Sequence, residues 1–321
     1  MNARRNRVLL TGVALLVLGA LIMVAALASM KFDFHRLSTR KVETNTHTPA
    51  GDFQDILVDV DTTEVSFLPA EDGKCKVVCV EEEGLQHVVT VSKGTLSIQQ
   101  VNTQKWYDQI GVGGGKTSVT VYLPKKEYAS LTLRTDTGDV TIPAGFRFKS
   151  IVLTGSTADI DIRASVEESI GVRTSTGSIT LSGLRASSLD LTATTGHIRV
   201  SDSVIEGKVS AQASTGKIGF TDMNCAEAQV KTSTGDVDLT RVLISESLRV
   251  ETDTGDVRFD RSDAPEIYVE TDTGDVSGTL LTPKIFEADT DTGKVKLPRS
   301  DPGGRCTLKS DTGDFEIEIV G

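Results

Sequence analysis

The chain has 321 residues, a formal net charge of −11, and only 5% aromatic residues against 38% hydrophobic ones. The acidic balance (pI ≈ 5.0) excludes nucleic acid as a partner, because phosphate binding needs clustered Lys and Arg. With so few aromatics, a core must be built from Val, Ile, Leu, Ala and Thr.

Residues 1–7 form a basic tail carrying Arg4, Arg5 and Arg7, and residues 8–28 are an almost uninterrupted apolar run. At the helical rise such a run reaches about 30 Å, the thickness of a bilayer core. It predicts a transmembrane signal-anchor, with the N-terminus inside, the large domain extracytoplasmic, and a single-pass cell-membrane localisation. A cleaved signal peptide is the alternative, since Ala26-Leu27-Ala28 resembles a cleavage site, although cleaved apolar runs are usually about 7–15 residues. Lys31, Arg36, Arg40 and Lys41 follow the run, so the positive-inside rule is close to balanced.

Residues 29–52 are polar, contain Pro49 and Gly51, and read as a linker. Residues 53–129 alternate apolar and polar side chains in the strand manner, as in Ile56-Leu57-Val58-Asp59-Val60, and read as an N-terminal β region and cap. Within them, Asp61-Thr62-Thr63-Glu64-Val65 is a degenerate copy of the phrase that dominates the rest of the chain. Trp106 and Tyr107 sit beside the glycine-rich stretch Gly111-Val112-Gly113-Gly114-Gly115. They are the binding candidates for a glycan or protein, the alternative being that they cover the core.

Residues 130–321 repeat Thr-Asp-Thr-Gly-Asp-Val, or a close variant, ten times at steps of 19 or 20 residues. The turn glycines are Gly138, Gly177, Gly196, Gly216, Gly235, Gly255, Gly274, Gly293 and Gly313, with Ala158 in the glycine place of the second copy. Counting from the glycine, positions −7, −5, +2 and +4 are apolar, Gly278 excepted, whereas −6, −4, +1 and +3 are mostly polar. Two strands with one buried face therefore flank each turn. A fixed period in this range is the signature of a solenoid, so the predicted fold is all-β: a slim parallel β-solenoid of about ten repeats, preceded by one transmembrane helix. Glycine at the turn suits a positive φ. Thr at −1 in every copy is expected to share the buried face with −3 and −5, forming a ladder of hydroxyls.

The repeated phrases behind one N-terminal apolar helix resemble the bacterial "putative-adhesin" family of Gram-positive membrane-anchored surface proteins, a domain of unknown function that includes the membrane protein of the Lia operon. The resemblance covers about residues 50–321. It implies a β-solenoid on the outer face of the membrane and transfers no catalytic residue.

The acidic turn edge is the sharpest chemical candidate. Asp253, Asp256, Asp272 and Asp275 stack at about strand spacing, and calcium could relieve their mutual repulsion. The alternative is that these side chains cap turns. No other cofactor is suggested. No carboxylate pair stands apart from the repeat, and His35, His47, His87 and His197 show no ligand or triad spacing, so the chain reads as not an enzyme. Cys75, Cys79, Cys225 and Cys306 include no CxxC pair and read as buried free thiols.

The functional reading is a non-enzymatic, membrane-anchored, cell-surface adhesin-like binding or scaffold module with an unknown protein or glycan ligand. The alternatives are an accessory membrane protein in envelope-stress signalling and a polysaccharide lyase or hydrolase. Self-association is a further expectation, because the final strand, residues 315–320, is expected to present an open edge.

Overall fold

The computed structural model describes residues 12, 15–25, 29, 42–103, 116–299 and 302–321. Each repeat makes one strand before its turn and one after it, as in Arg147–Thr157 followed by Ile160–Ile162. Period-two alternation decides what these strands bury: Ile151 and Leu153 are enclosed while Val152 between them is exposed. Successive strands stack parallel and in register. One inner row runs Leu131, Ile151, Ile170, Leu189, Val209, Ala228, Leu248, Ile267. The row beyond the turn runs Val140, Ile160, Ile179, Ile198, Ile218, Val237, Val257, Val276. Burying each such aliphatic side chain contributes roughly 1.5–3 kcal/mol, and each coil does so only against its neighbours. The chain is therefore an all-β parallel solenoid, as the repeat predicts.

The degenerate copy at Asp61–Val65 lies in the same stack, because Ile56 pairs with Leu131 and Val65 with Val140. Beyond it, Thr95–Asn102 and Ser118–Leu123 pair parallel with the two strands of that coil. The strand direction then reverses. Leu85–Ser92 lies antiparallel on Thr95–Asn102, Lys76–Glu82 antiparallel on Ser118–Leu123, and Val42–His47 antiparallel on Lys76–Glu82. Antiparallel strands break the pattern that another parallel coil would extend.

The C-terminal end is built differently from the expectation of an open final strand. Glu266–Thr273 pairs with Gly304–Thr312, which in turn pairs with Lys284–Thr292. On the other side of the turn Val276 pairs with Phe315, and Phe315 with Val295. The last coil in sequence is thus inserted between the two before it. Phe315 is fully enclosed, and the exposed end belongs to the preceding coil, where Ile285 and Val295 are about half exposed. The period gives the spacing of turns along the chain but not the spatial order of the coils.

The predicted single-pass membrane localisation is not supported. Among the described residues no helix is long and apolar enough to cross a membrane. Within the apolar run, residues 12 and 15–25 are described and helical. The transmembrane helix of the fold prediction is likewise not supported.

Candidate functional site

The repeated turn stacks into a ridge along one corner of the solenoid, and its hydrogen bonds explain the recurring phrase. Every turn glycine except Gly293, on the end coil, donates its N–H to the Thr carbonyl of a neighbouring coil, as from Gly196 to Thr215 and from Gly216 to Thr234. The coils approach so closely that a Cβ on Gly138, Gly216, Gly274 or Gly313 would come under 3.0 Å from a carbonyl oxygen of the adjacent turn. Positive φ accompanies this contact at Gly177, Gly196, Gly216, Gly235 and Gly255, but Gly138, Gly274, Gly293 and Gly313 lack it. Close backbone approach, more than φ, is the common reason for glycine.

The hydroxyl ladder stands two positions earlier than expected, at −3 and not at −1. Thr at −1 is exposed, as at Thr137, Thr176 and Thr234, because the chain bends there and strand parity lapses. The enclosed hydroxyls stand at −3: Thr135, Thr174, Thr232, Thr252, Thr271 and Ser310. Several donate to the preceding turn carbonyl, Thr232 to Gly216 at 3.2 Å and Thr271 to Gly255 at 3.3 Å.

Outside the turn, the +1 side chain accepts a hydrogen bond from the +1 backbone N–H of the next coil. Asp139 accepts from Asp159, Asp159 from Ser178, Asp236 from Asp256, and Asp256 from Asp275. His197 fills the same place, its Nδ1 accepting from Lys217 at 3.0 Å. Of the four calcium candidates, Asp256 and Asp275 belong to this ladder, whereas Asp253 and Asp272 are exposed at −2. Arg258 reaches across to Asp236 at 2.9 Å and Asp256 at 2.5 Å, so part of the ridge already holds a cation.

The outward face of the long strands carries polar side chains in register. Glu251 lies between Lys231 at 3.1 Å and Arg249 at 2.5 Å, whose hydrogen bonds hold its carboxyl below the ordinary value. On the same face Tyr268 is half-buried. The Arg249 guanidinium lies 4.2 Å from its ring centroid and the Lys309 ammonium 5.8 Å, and its hydroxyl donates to Glu270 at 2.8 Å. Trp106 and Tyr107 lie outside the described residues. A shallow cleft of about 410 Å³ on the return arc is lined by Leu243, Pro265 and Leu281 together with Asp263 and Lys284. Lys284 is enclosed and pairs with Asp263 at 2.5 Å.

All four cysteines are free and buried. Burial pushes the Cys225 and Cys306 thiols up to about 12. Sequence reasoning missed one cluster. Val42–His47, within the stretch read as a linker, is a strand that carries His47 to Cys79 and Glu81 on Lys76–Glu82. The i, i+2 spacing of Cys79 and Glu81 was legible as a shared strand face, but the pairing of the distant His47 with them was not.

Comparison with known proteins places the architecture. A "putative adhesin" from Parabacteroides merdae superposes with a TM-score of 0.50 at 11% identity, covering 88% of this chain and 98% of its own. A second "putative adhesin", from Parabacteroides distasonis, gives 0.45 at 11% identity over 87% and 98%. A "putative lipid binding protein" from Parabacteroides distasonis gives 0.42 at 12% over 88% and 98%. At such identities the likeness concerns the fold alone. No curated protein matches the chain. The Toastrack DUF4097 family profile matches residues 53–211 and 206–321, so the stacked-turn solenoid described above belongs to the Toastrack DUF4097 family.

Proposed function

We propose that this chain is a non-enzymatic, adhesin-like binding or scaffold rod that meets a protein or glycan partner along the outward face of its long strands. The observation that carries the reading is the Arg249–Tyr268–Lys309 group. It sets an aromatic ring between two cations on a flat face whose backbone is fixed by in-register pairing. Aromatic and Arg side chains held rigidly on a surface are the usual anchors of recognition. Many ridge carboxylates, by contrast, are engaged in capping the turns. The adhesin name of the Parabacteroides merdae neighbour agrees with this reading.

The test uses the full chain immobilised on beads and presented to arrays of glycans and of extracellular-matrix proteins. Retention of a defined ligand that drops at least about tenfold in a Tyr268→Ala, Lys309→Gln variant supports the proposal. Retention indifferent to that variant moves the binding surface elsewhere. Turnover of a polysaccharide that a single carboxylate substitution abolishes would overturn the non-enzymatic reading.

A further inference from the structure

The N-terminal cap holds a group of metal-ligating side chains that the solenoid does not need. One ligand atom from each of His47, Cys79 and Glu81 lies within 4.8 Å of the others. Cys79 is fully enclosed and Glu81 nearly so. The Nε2 of His47 is buried and has no hydrogen-bond partner. Behind Glu81 stands His87, whose side chain is 1% exposed and whose Nδ1 lies 2.9 Å from Glu81 Oε1. Its Nε2 is also buried without a partner. The other oxygen of Glu81 accepts from Asn45 at 2.6 Å.

This arrangement is costly as a piece of protein core. A buried carboxylate is ordinarily paired with a cation or coordinated to a metal. Glu81 accepts hydrogen bonds from the amide of Asn45, the backbone N–H of His87 and the His87 ring, and none of these groups is a Lys or Arg. An imidazole nitrogen buried with no donor costs about 1–3 kcal/mol. Apolar residues of similar size would fill the same volume without either penalty.

We propose that His47, Cys79 and Glu81 form a zinc-binding site in the cap, with His87 orienting the Glu81 carboxylate. One imidazole nitrogen, one thiolate and one carboxylate oxygen are the donor types zinc prefers, whereas calcium and magnesium require oxygen donors. A divalent ion with one thiolate and one carboxylate is electrically neutral, which suits an enclosed site. On binding, the Cys79 proton is released to solvent and the sulfur lone pair forms the metal bond. The His87 Nδ1–H donates to the ligating carboxylate, the way an outer hydrogen bond fixes a metal ligand. Three protein ligands leave a fourth tetrahedral position open. His47 ends the outermost strand of its sheet, and Cys79 and Glu81 sit on the strand beneath. The ion therefore staples the terminal strand of the cap to the rest of the solenoid.

The experiment uses the purified full chain, reduced and stripped with a chelator, then titrated with cobalt(II) and with zinc(II). The expected result is one equivalent of cobalt giving a thiolate-to-cobalt charge-transfer band, displaced by zinc, with a rise in Tm. Cys79→Ser should abolish the band, and His47→Gln should weaken zinc binding by about 10–100-fold, the scale on which such sites respond to lost partners. Cys225→Ser, remote from the cap, should leave both unchanged. The wild-type titration stands by itself if a cap variant fails to fold: a folded, reduced chain that takes up no stoichiometric cobalt or zinc overturns the proposal. Equal zinc affinity in wild type and Cys79→Ser overturns it as well.

Discussion

The backbone N–H of Asp314 donates to Asp275 Oδ1 at 2.8 Å across a sequence separation of 39 residues, twice the repeat step. Asp314 in turn accepts from the Lys294 N–H at 2.8 Å. These two bonds record the inserted last coil: Asp314 occupies the rung that sequence order would assign to Lys294.

Insertion gives the C-terminus an unusual share of the stability. Phe315 is packed between the Val276 and Val295 coils and fully enclosed. Phe315→Ala should cost about 3–5 kcal/mol. Val295→Ala, at the half-exposed end coil, should cost less than about 1 kcal/mol. Urea denaturation of both variants checks this; similar costs would mean that the last coil is not interior.

The turn glycines should respond to contact rather than to φ alone. Gly216→Ala adds a methyl against the Gly196 carbonyl at a φ of 149°. The strain should amount to about 1–3 kcal/mol before any displacement of the neighbouring coil. Ala158→Gly, at the copy that already carries a Cβ, should cost only about 0.5–1 kcal/mol. Thermal unfolding of the pair measures the asymmetry.

The shifted hydroxyl ladder predicts different outcomes for two threonines two residues apart. Thr232 is enclosed and donates to Gly216, so Thr232→Val should cost about 1 kcal/mol or somewhat more through an unsatisfied carbonyl. Thr234 is exposed, and Thr234→Val should stay within about 0.5 kcal/mol. Reversal of the two values would restore the strand parity expected from the sequence.

On the acidic ridge, Asp236 and Asp256 each accept from the next coil, and Arg258 already contacts both. Added calcium is therefore expected to leave the Tm of the chain within about 1 °C, since only a ligand that binds the native state raises it. A concentration-dependent rise, lost in an Asp253→Asn, Asp272→Asn variant, would establish cation binding there.

The thiols give a further structural readout. Burial raises Cys225 and Cys306 to about 12, and the thiolate is the reactive form. Both should resist a thiol reagent near pH 8 and react at the rate of unfolding. Labelling followed by mass spectrometry would show fast modification if either were accessible.

The period of the glycines, the alternation on either side of them and the polar turn chemistry are properties of the chain alone, and they determined a parallel solenoid with its buried rows named residue by residue. They suffice because each coil contacts mainly its neighbours, so local pattern and global architecture coincide. The exposure of the −1 threonines was not legible, since strand parity carries no information about where the chain bends. Tertiary structure alone decided the order of the last two coils, because two coils with the same pattern can exchange places without changing any local preference. It alone also brought His47 to Cys79 and Glu81, where antiparallel pairing joins segments separated by a turn of the solenoid and no sequence spacing records the contact.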